Sequence, residues 1–254
     1  MEKPCFRSSE AFEVLSKSSK PAVNQLLSDM TKRGLLMRIK EGVYYVVPYE
    51  KDPERFMPDS LQLAENLVNG ADHYIGYYSA LQIHNQITRP SLKPQIVVAK
   101  QIRPSTIIVK NIPFQFIYHN PNHFFGVKKL WVDNLHKVKC SDLEKTIIDC
   151  LFQPDYAGGI VEIAGAIYIS RDKIDFERLL EYAKKFNSQA VIKRLGFLLE
   201  ALEINQAITE ELQKIKSASY ILLDTELPRD GKLLSRWSII QNIDNKTIKS
   251  IIRT

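Results

Sequence analysis

The pattern of apolar and polar positions over residues 8–47 predicts two short helices and a strand pair. Ser8-Ser9 precede Glu10-Ala11-Phe12-Glu13-Val14-Leu15, a short capped helix. Ser18-Ser19 lead into a second helix, with Pro21 in its first turn, where the missing amide hydrogen costs nothing. In it Val23, Leu26, Leu27 and Met30 fall at i, i+3, i+4 and i+7, one buried stripe. Its other face carries Asn24, Gln25, Ser28 and Lys32, with Lys20 nearby. Gly34 is placed to close the helix behind Lys32 and Arg33. Leu36-Met37-Arg38-Ile39-Lys40 and Val43-Tyr44-Tyr45-Val46-Val47 then flank a Glu41-Gly42 turn. Helix, turn, polar-faced helix and basic hairpin follow in the order of a winged helix-turn-helix, which is the expectation for residues 1–50.

Lys51 to Ser60, with Pro53, Pro58 and several charges, is the expected linker. Residues 61–254 then read as one larger mixed domain, giving an α+β chain. A helix is predicted near Leu61–Val68 and another over Tyr77–Asn85. Strands are predicted at Gln95–Ala99, Thr106–Val109, Phe114–Tyr118 and Lys129–Val138, punctuated by prolines. From Cys140 onward the pattern is mostly helical. Ser141-Asp142-Leu143-Glu144 has the form of a capping box, followed by an apolar stripe of Leu143, Ile147, Ile148 and Leu151. Further helices are predicted over Ile160–Ile169, after a cap at Asp175, and after a cap at Ser188. Gly196 lies inside the last of these at a cost of about 1 kcal/mol relative to Ala, which a close approach by another element would explain. Tyr220–Leu223 and Trp237–Ile243 read as late strands.

The 254 residues, 44% hydrophobic and 25% charged, provide for a globular core and exclude a disordered or low-complexity chain. No apolar run reaches the ~18–20 residues of a membrane-spanning helix, and Met1 to Arg7 contains no apolar stretch like a secretory signal. With three scattered cysteines, a reducing cytoplasm is the expected compartment, without membrane attachment.

The net charge of +6 is unevenly spread. Lys20, Lys32, Arg33, Arg38 and Lys40 face only Asp29 among acids between residues 20 and 40. Residues 89–139 hold nine basic groups against Asp133 alone. Such blocks draw in polyanions. A helix of the predicted kind enters a DNA major groove about 12 Å wide, and Asn24 and Gln25 are the side-chain types that pair bidentately with adenine. Lys20, Ser28, Lys32, Arg33, Arg38 and Lys40 complete the candidate DNA contacts, the basic ones on phosphates. Arg89, Lys93, Lys100, Arg103, Lys128 and Lys129 form a candidate second basic surface, for protein or RNA. That surface supports the alternative expectation of an interaction module that does not bind DNA.

Candidate chemistry is sparse. His119 and His123 are four apart, but Pro121 between them argues against a shared helix face, and no carboxylate or Cys stands at ligand spacing, so no metal site is expected. Cys140 and Cys150 read as core residues. Phosphate-binding glycine loops, zinc-protease motifs and nucleophile elbows are all missing from the sequence, and neither an enzymatic activity nor a cofactor is expected.

Several strings resemble the AbiEi antitoxins of type IV toxin–antitoxin, or abortive-infection, systems. They are Tyr77-Tyr78-Ser79-Ala80-Leu81; Cys140-Ser141-Asp142-Leu143-Glu144-Lys145-Thr146-Ile147-Ile148-Asp149; Ala190-Val191-Ile192-Lys193-Arg194-Leu195-Gly196; and Leu227-Pro228-Arg229-Asp230-Gly231-Lys232 to Arg236-Trp237. The resemblance covers essentially the whole chain. It implies an N-terminal winged helix-turn-helix that represses its own operon by binding inverted repeats in double-stranded DNA. It also implies a larger domain over 61–254 that neutralises a nucleotidyltransferase-like toxin. Family members commonly carry a helix before the one placed at Ser9–Leu15, and here only a few residues precede it.

Overall fold

The computed structural model describes residues 4–68, 70–87, 91–133 and 136–250. The N-terminal region runs β1 (Cys5–Arg7), α1 (Ser8–Val14), α2 (Lys20–Lys32), β2 (Leu36–Lys40) and β3 (Val43–Val46). The strands pair antiparallel in the order β1-β3-β2. Strand alternation gives this small sheet two apolar faces. Phe6, Leu36 and Tyr44 meet α1 and α2 through Ala11, Phe12, Leu15, Val23, Leu27 and Met30. Cys5, Met37, Ile39, Val43 and Tyr45 project to the other side.

That second side is covered by α3 (Ser60–Leu67), through Leu63, Ala64 and Leu67. The same core cluster continues into a six-stranded mixed sheet. Its strands are β4 (His73–Ile75), β5 (Gln95–Val98), β6 (Thr106–Val109), β7 (Ile112–Tyr118), β8 (Val127–Trp131) and β9 (Lys137–Ser141), in the order β6-β7-β5-β4-β9-β8. α4 (Tyr77–Ile83) lies between β4 and β5 in sequence. Ile75, Ile96, Val98, Phe114, Phe116, Val138 and Cys140 face α3 and the N-terminal sheet, and Tyr74, Val97 and Ile117 face the helical half.

The segment expected as a linker is tied down at several points. Phe56 packs on Tyr45 with ring centroids 5.7 Å apart. Lys110, at the two-residue turn between β6 and β7, donates to the carbonyls of Pro53 and Phe56 at 3.3 and 3.1 Å. Both turn residues, Lys110 and Asn111, have positive φ, as a tight hairpin of matching twist requires.

The helical half comprises α5 (Leu143–Phe152), α6 (Gly159–Ser170), α7 (Phe176–Phe186), α8 (Gln189–Ala201) and α9 (Gln206–Ile215). A small sheet of β10 (Ile221–Leu222), β11 (Lys232–Leu234) and β12 (Ile239–Gln241), then α10 (Asn245–Ser250), ends the described chain. Asp175 caps α7, accepting from the Arg178 amide at 3.0 Å. Gly196 has the close neighbour its position implied. A Cβ there would stand 2.1 Å from the ring of Trp237, which is buried against α8 and donates to Glu200 at 2.9 Å.

Several sequence expectations are corrected. The predicted strand Lys129–Val138 takes in the facing ends of two antiparallel strands, β8 and β9, with residues 134–135 outside those described. The cap of α5 is Asp142, which accepts from the Lys145 amide at 3.0 Å. Ser141 belongs to β9, and Glu144 turns away to accept the Asp175 amide at 2.9 Å. Ser188 stands at the start of α8 without a side-chain capping bond. β1, β4 and α9 were not foreseen.

Candidate nucleic-acid interface

α2 is built by local chemistry. Ser19 accepts the Ala22 amide at its start. At its end Gly34 takes φ +75°, and the amides of Gly34 and Leu35 return to the carbonyls of Thr31 and Met30, both at 3.0 Å. This is the paired closure that a left-handed glycine permits. Val23 and Leu27 are buried and Met30 is half-buried. Leu26, expected in the stripe, is 45% exposed, because a three-stranded sheet and one short helix offer the helix only a narrow seat.

The polar side is open. Lys20, Asn24, Gln25, Ser28, Lys32 and Arg33 are all exposed. At about 100° per residue, Gln25 and Lys32 point directly away from the buried stripe, with Ser28 and Asn24 to one side. Asp29 partly engages this face: Gln25 donates to it at 3.0 Å, and Lys32 lies 3.9 Å away. Exposed pairs of this kind are worth at most about 1 kcal/mol and yield to a phosphate. Lys20 sits 5.9 Å from the Phe12 ring.

The hairpin divides its two basic residues. Arg38 is exposed and stands opposite Tyr44 in register, hence on the α2 side of the sheet. A register irregularity between Arg38 and Lys40 then breaks the alternation. Lys40 is turned to the other side, where its ammonium donates to the Leu67 carbonyl at 2.6 Å. Burial, then repulsion from Arg7, lowers its pKa. Lys40, expected among the phosphate contacts, is thus placed on the side away from Arg38, where it fastens the hairpin to α3. Lys32, Arg33 and Arg38 line one groove, together with Lys110 from the larger sheet and Asp52 and Glu54 from the connecting segment.

The residues of the candidate second surface are distributed over several elements. Lys93 is half-buried before β5, and Lys100 and Arg103 lie in the connection from β5 to β6. Lys128 and Lys129 lie on β8, at the sheet edge opposite β6. They are neighbours on one strand and so project to opposite faces. Lys128 is 3.7 Å from Asp142. Arg89 lies outside the described residues.

Sequence reasoning missed a buried polar cluster under the sheet. Lys145 and Asp149, one turn apart on α5, are fully buried and form an ion pair. Tyr74 donates to Asp149 at 3.0 Å and accepts from Lys145 at 2.9 Å. Tyr77, held at φ +53°, places its hydroxyl 2.6 Å from His119 Nε2 and donates to Gln153 at 3.1 Å. Desolvation, with Lys145 and His123 adding repulsion, lowers the His119 pKa to about 3. His123 stacks on Phe186 with centroids 3.7 Å apart. The cluster is closed by rings of Phe125, Phe152 and Phe186. Among the described residues no group of three or more His, Cys, Asp or Glu is arranged to hold a metal. The signal in the sequence was the Lys145/Asp149 spacing, on a helix that strands and helices enclose on all sides.

The strings that carried the family resemblance are thus largely packing devices. Lys145 and Asp149 form the buried pair and Gly196 admits Trp237. Arg194, buried, donates to the carbonyls of Leu151, Leu222 and Leu223 at 2.7–2.9 Å, tying β10 to α5.

Together, the fold and this face describe an α+β protein with a small helix-and-sheet unit presenting a polar, basic helix. No protein-family model matches the chain, and no curated protein sequence does. Among solved structures it is similar to the Rv2827c protein of Mycobacterium tuberculosis, at 11% identity and a TM-score of 0.71, covering 99% of this chain and 90% of that one. At that identity the likeness is one of fold. Among the described residues no helix is long and apolar enough to cross a membrane.

Proposed function

We propose that the protein is a DNA-binding antitoxin: a winged helix-turn-helix regulator of its own operon whose larger domain neutralises a nucleotidyltransferase-like toxin. The observation that carries the DNA reading is the open face of α2, with Asn24, Gln25, Ser28, Lys32 and Arg33 exposed and Arg38 on the same side of the sheet. The element order β1-α1-α2-β2-β3 with a β1-β3-β2 sheet supports the winged reading, in which α2 is the helix for the groove and β2–β3 the wing. A polar helix flanked by cations suits a duplex: amide side chains read base edges while cations hold phosphates and set register. α3 supplies apolar cover to the small sheet from the side away from α1 and α2. The antitoxin part rests on the resemblance of the strings named above.

Binding is tested by fluorescence anisotropy on the protein's own promoter DNA against scrambled duplex. Asn24→Ala and Gln25→Ala are expected to narrow the specific-to-scrambled ratio by about 1–3 kcal/mol per lost base contact. Unchanged ratios for both would remove the assignment of α2 as the reading helix. Co-expression with the nucleotidyltransferase-like product of a neighbouring gene tests the second activity. Restored growth supports it, and unrelieved toxicity from a soluble pair counts against it.

A further inference from the structure

The β8–β9 edge carries an arrangement that the duplex-binding reading does not use. The antiparallel register sets Lys129 opposite Lys139 and Trp131 opposite Lys137. Val138 and Cys140 point into the core, so pleat alternation puts Lys129, Trp131, Lys137 and Lys139 together on the other face of this hairpin. Trp131 is 59% exposed, and the Lys137 ammonium lies 4.3 Å from its ring centroid. Neither Lys129 nor Lys137 makes an ion pair among the described residues, whereas their neighbour Lys128 is paired to Asp142.

A large indole left exposed forgoes burial, of which the Lys137 ammonium over its ring returns only a part. Lysines on an outer strand protect against edge-to-edge pairing. That role does not account for Lys137 and Lys139, which lie on the inner strand β9, nor for Trp131, which adds the apolar surface such protection avoids. The Lys137 ammonium rests over one face of the indole in a contact weak enough to be exchanged for a phosphate, so the pair can offer a cation and an aromatic face to a strand that carries phosphates and unstacked bases together. A duplex keeps its bases stacked, and an acidic polypeptide would leave the indole unused.

We propose that the β8–β9 face of Lys129, Trp131 and Lys137 is a binding site for single-stranded nucleic acid, with a base stacked on Trp131 and phosphates on the two lysines. The site is separate from the α2 face and stands without it. The test uses the full chain and a short fluorescein-labelled oligouridylate. The chain has two tryptophans, and Trp237 is buried, so quenching of the accessible fluorescence reports on Trp131. Trp131→Ala is expected to weaken binding on the order of 10-fold, while Trp131→Phe retains most of it. Lys129→Ala with Lys137→Ala should reduce the slope of log affinity on log salt by about 1.4, or 0.7 per phosphate. Promoter-duplex binding by Trp131→Ala stays at the wild-type level, which separates this site from α2. The proposal is overturned by absence of binding and quenching, by equal affinity of Trp131→Ala, or by poly-glutamate competing as well as the oligouridylate, which would assign the face to an acidic protein partner.

Discussion

Arg38 and Lys40 are two residues apart on one strand, and a count of basic groups gives them the same role. Their surroundings differ. Arg38 is exposed on the side of α2, while the Lys40 ammonium is held by the Leu67 carbonyl at 2.6 Å. If Arg38 neutralises one phosphate, Arg38→Ala lowers the salt slope on DNA by about 0.9, so between 50 and 200 mM salt the wild type loses about 3.5-fold more affinity than the variant. Stability should hardly change, because an exposed substitution is usually within about 0.5 kcal/mol. Lys40→Ala should do the reverse. It leaves the slope as it is, but strips Leu67 of its donor and the hairpin of its tie to α3, a loss of about 1–3 kcal/mol. Anisotropy titrations across that salt range, with urea unfolding of each variant, measure both quantities. Equal loss of slope in the two variants would show that Lys40 leaves Leu67 for a phosphate, and the division of the hairpin into two faces would be wrong.

Gly196→Ala should destabilise by about 1–3 kcal/mol in urea despite the helix propensity gained, because the new methyl meets Trp237; an unchanged midpoint would mean that the ring is not seated there. Lys145→Met strands a buried carboxylate and should cost about 3–5 kcal/mol, much of it recovered by adding Asp149→Leu; a neutral single variant would contradict the buried pair. His119, with its folded pKa lowered to about 3, stays neutral in the native state while the unfolded chain binds a proton below about 6.5. Stability from this residue is therefore full above pH 6.5 and is lost as pH falls toward 3, amounting to about 2 kcal/mol between pH 7 and 5. His119→Gln should flatten the unfolding free energy across that interval by this amount, and an equally steep profile would refute it.

The helix α2 was legible because everything that makes it is local: a serine cap, Pro21 in the first turn, apolar residues at helical spacing and a left-handed glycine at the end. Its exposed face followed from the same periodicity. Leu26 was misassigned because periodicity gives the direction of a stripe and not the width of what it packs on. β1 and β4 are three residues each, too short for alternation to register, and they exist because neighbouring strands supply their hydrogen bonds. The sequence reading of α5 named only the apolar stripe and did not single out Lys145 and Asp149, because one helix face is normally left to water. Here α4, α6, α7 and α8 enclose it, and Asp149 compensates Lys145.

Charge shows the same division. Sequence alone determined how many cations the chain carries, that α2 has a polar side, and that residues 89–139 are basic. Strand order decided which of those cations meet. β6 and β8 fall at opposite edges of the sheet, separating Arg103 from Lys129, while the hairpin register brings Lys129, Trp131 and Lys137 onto one face. One irregularity in β2 likewise sends Lys40 away from Arg38. The reason is that helical periodicity is set by bonds within about four residues, whereas the neighbours of a strand are chosen by the packing of the whole chain.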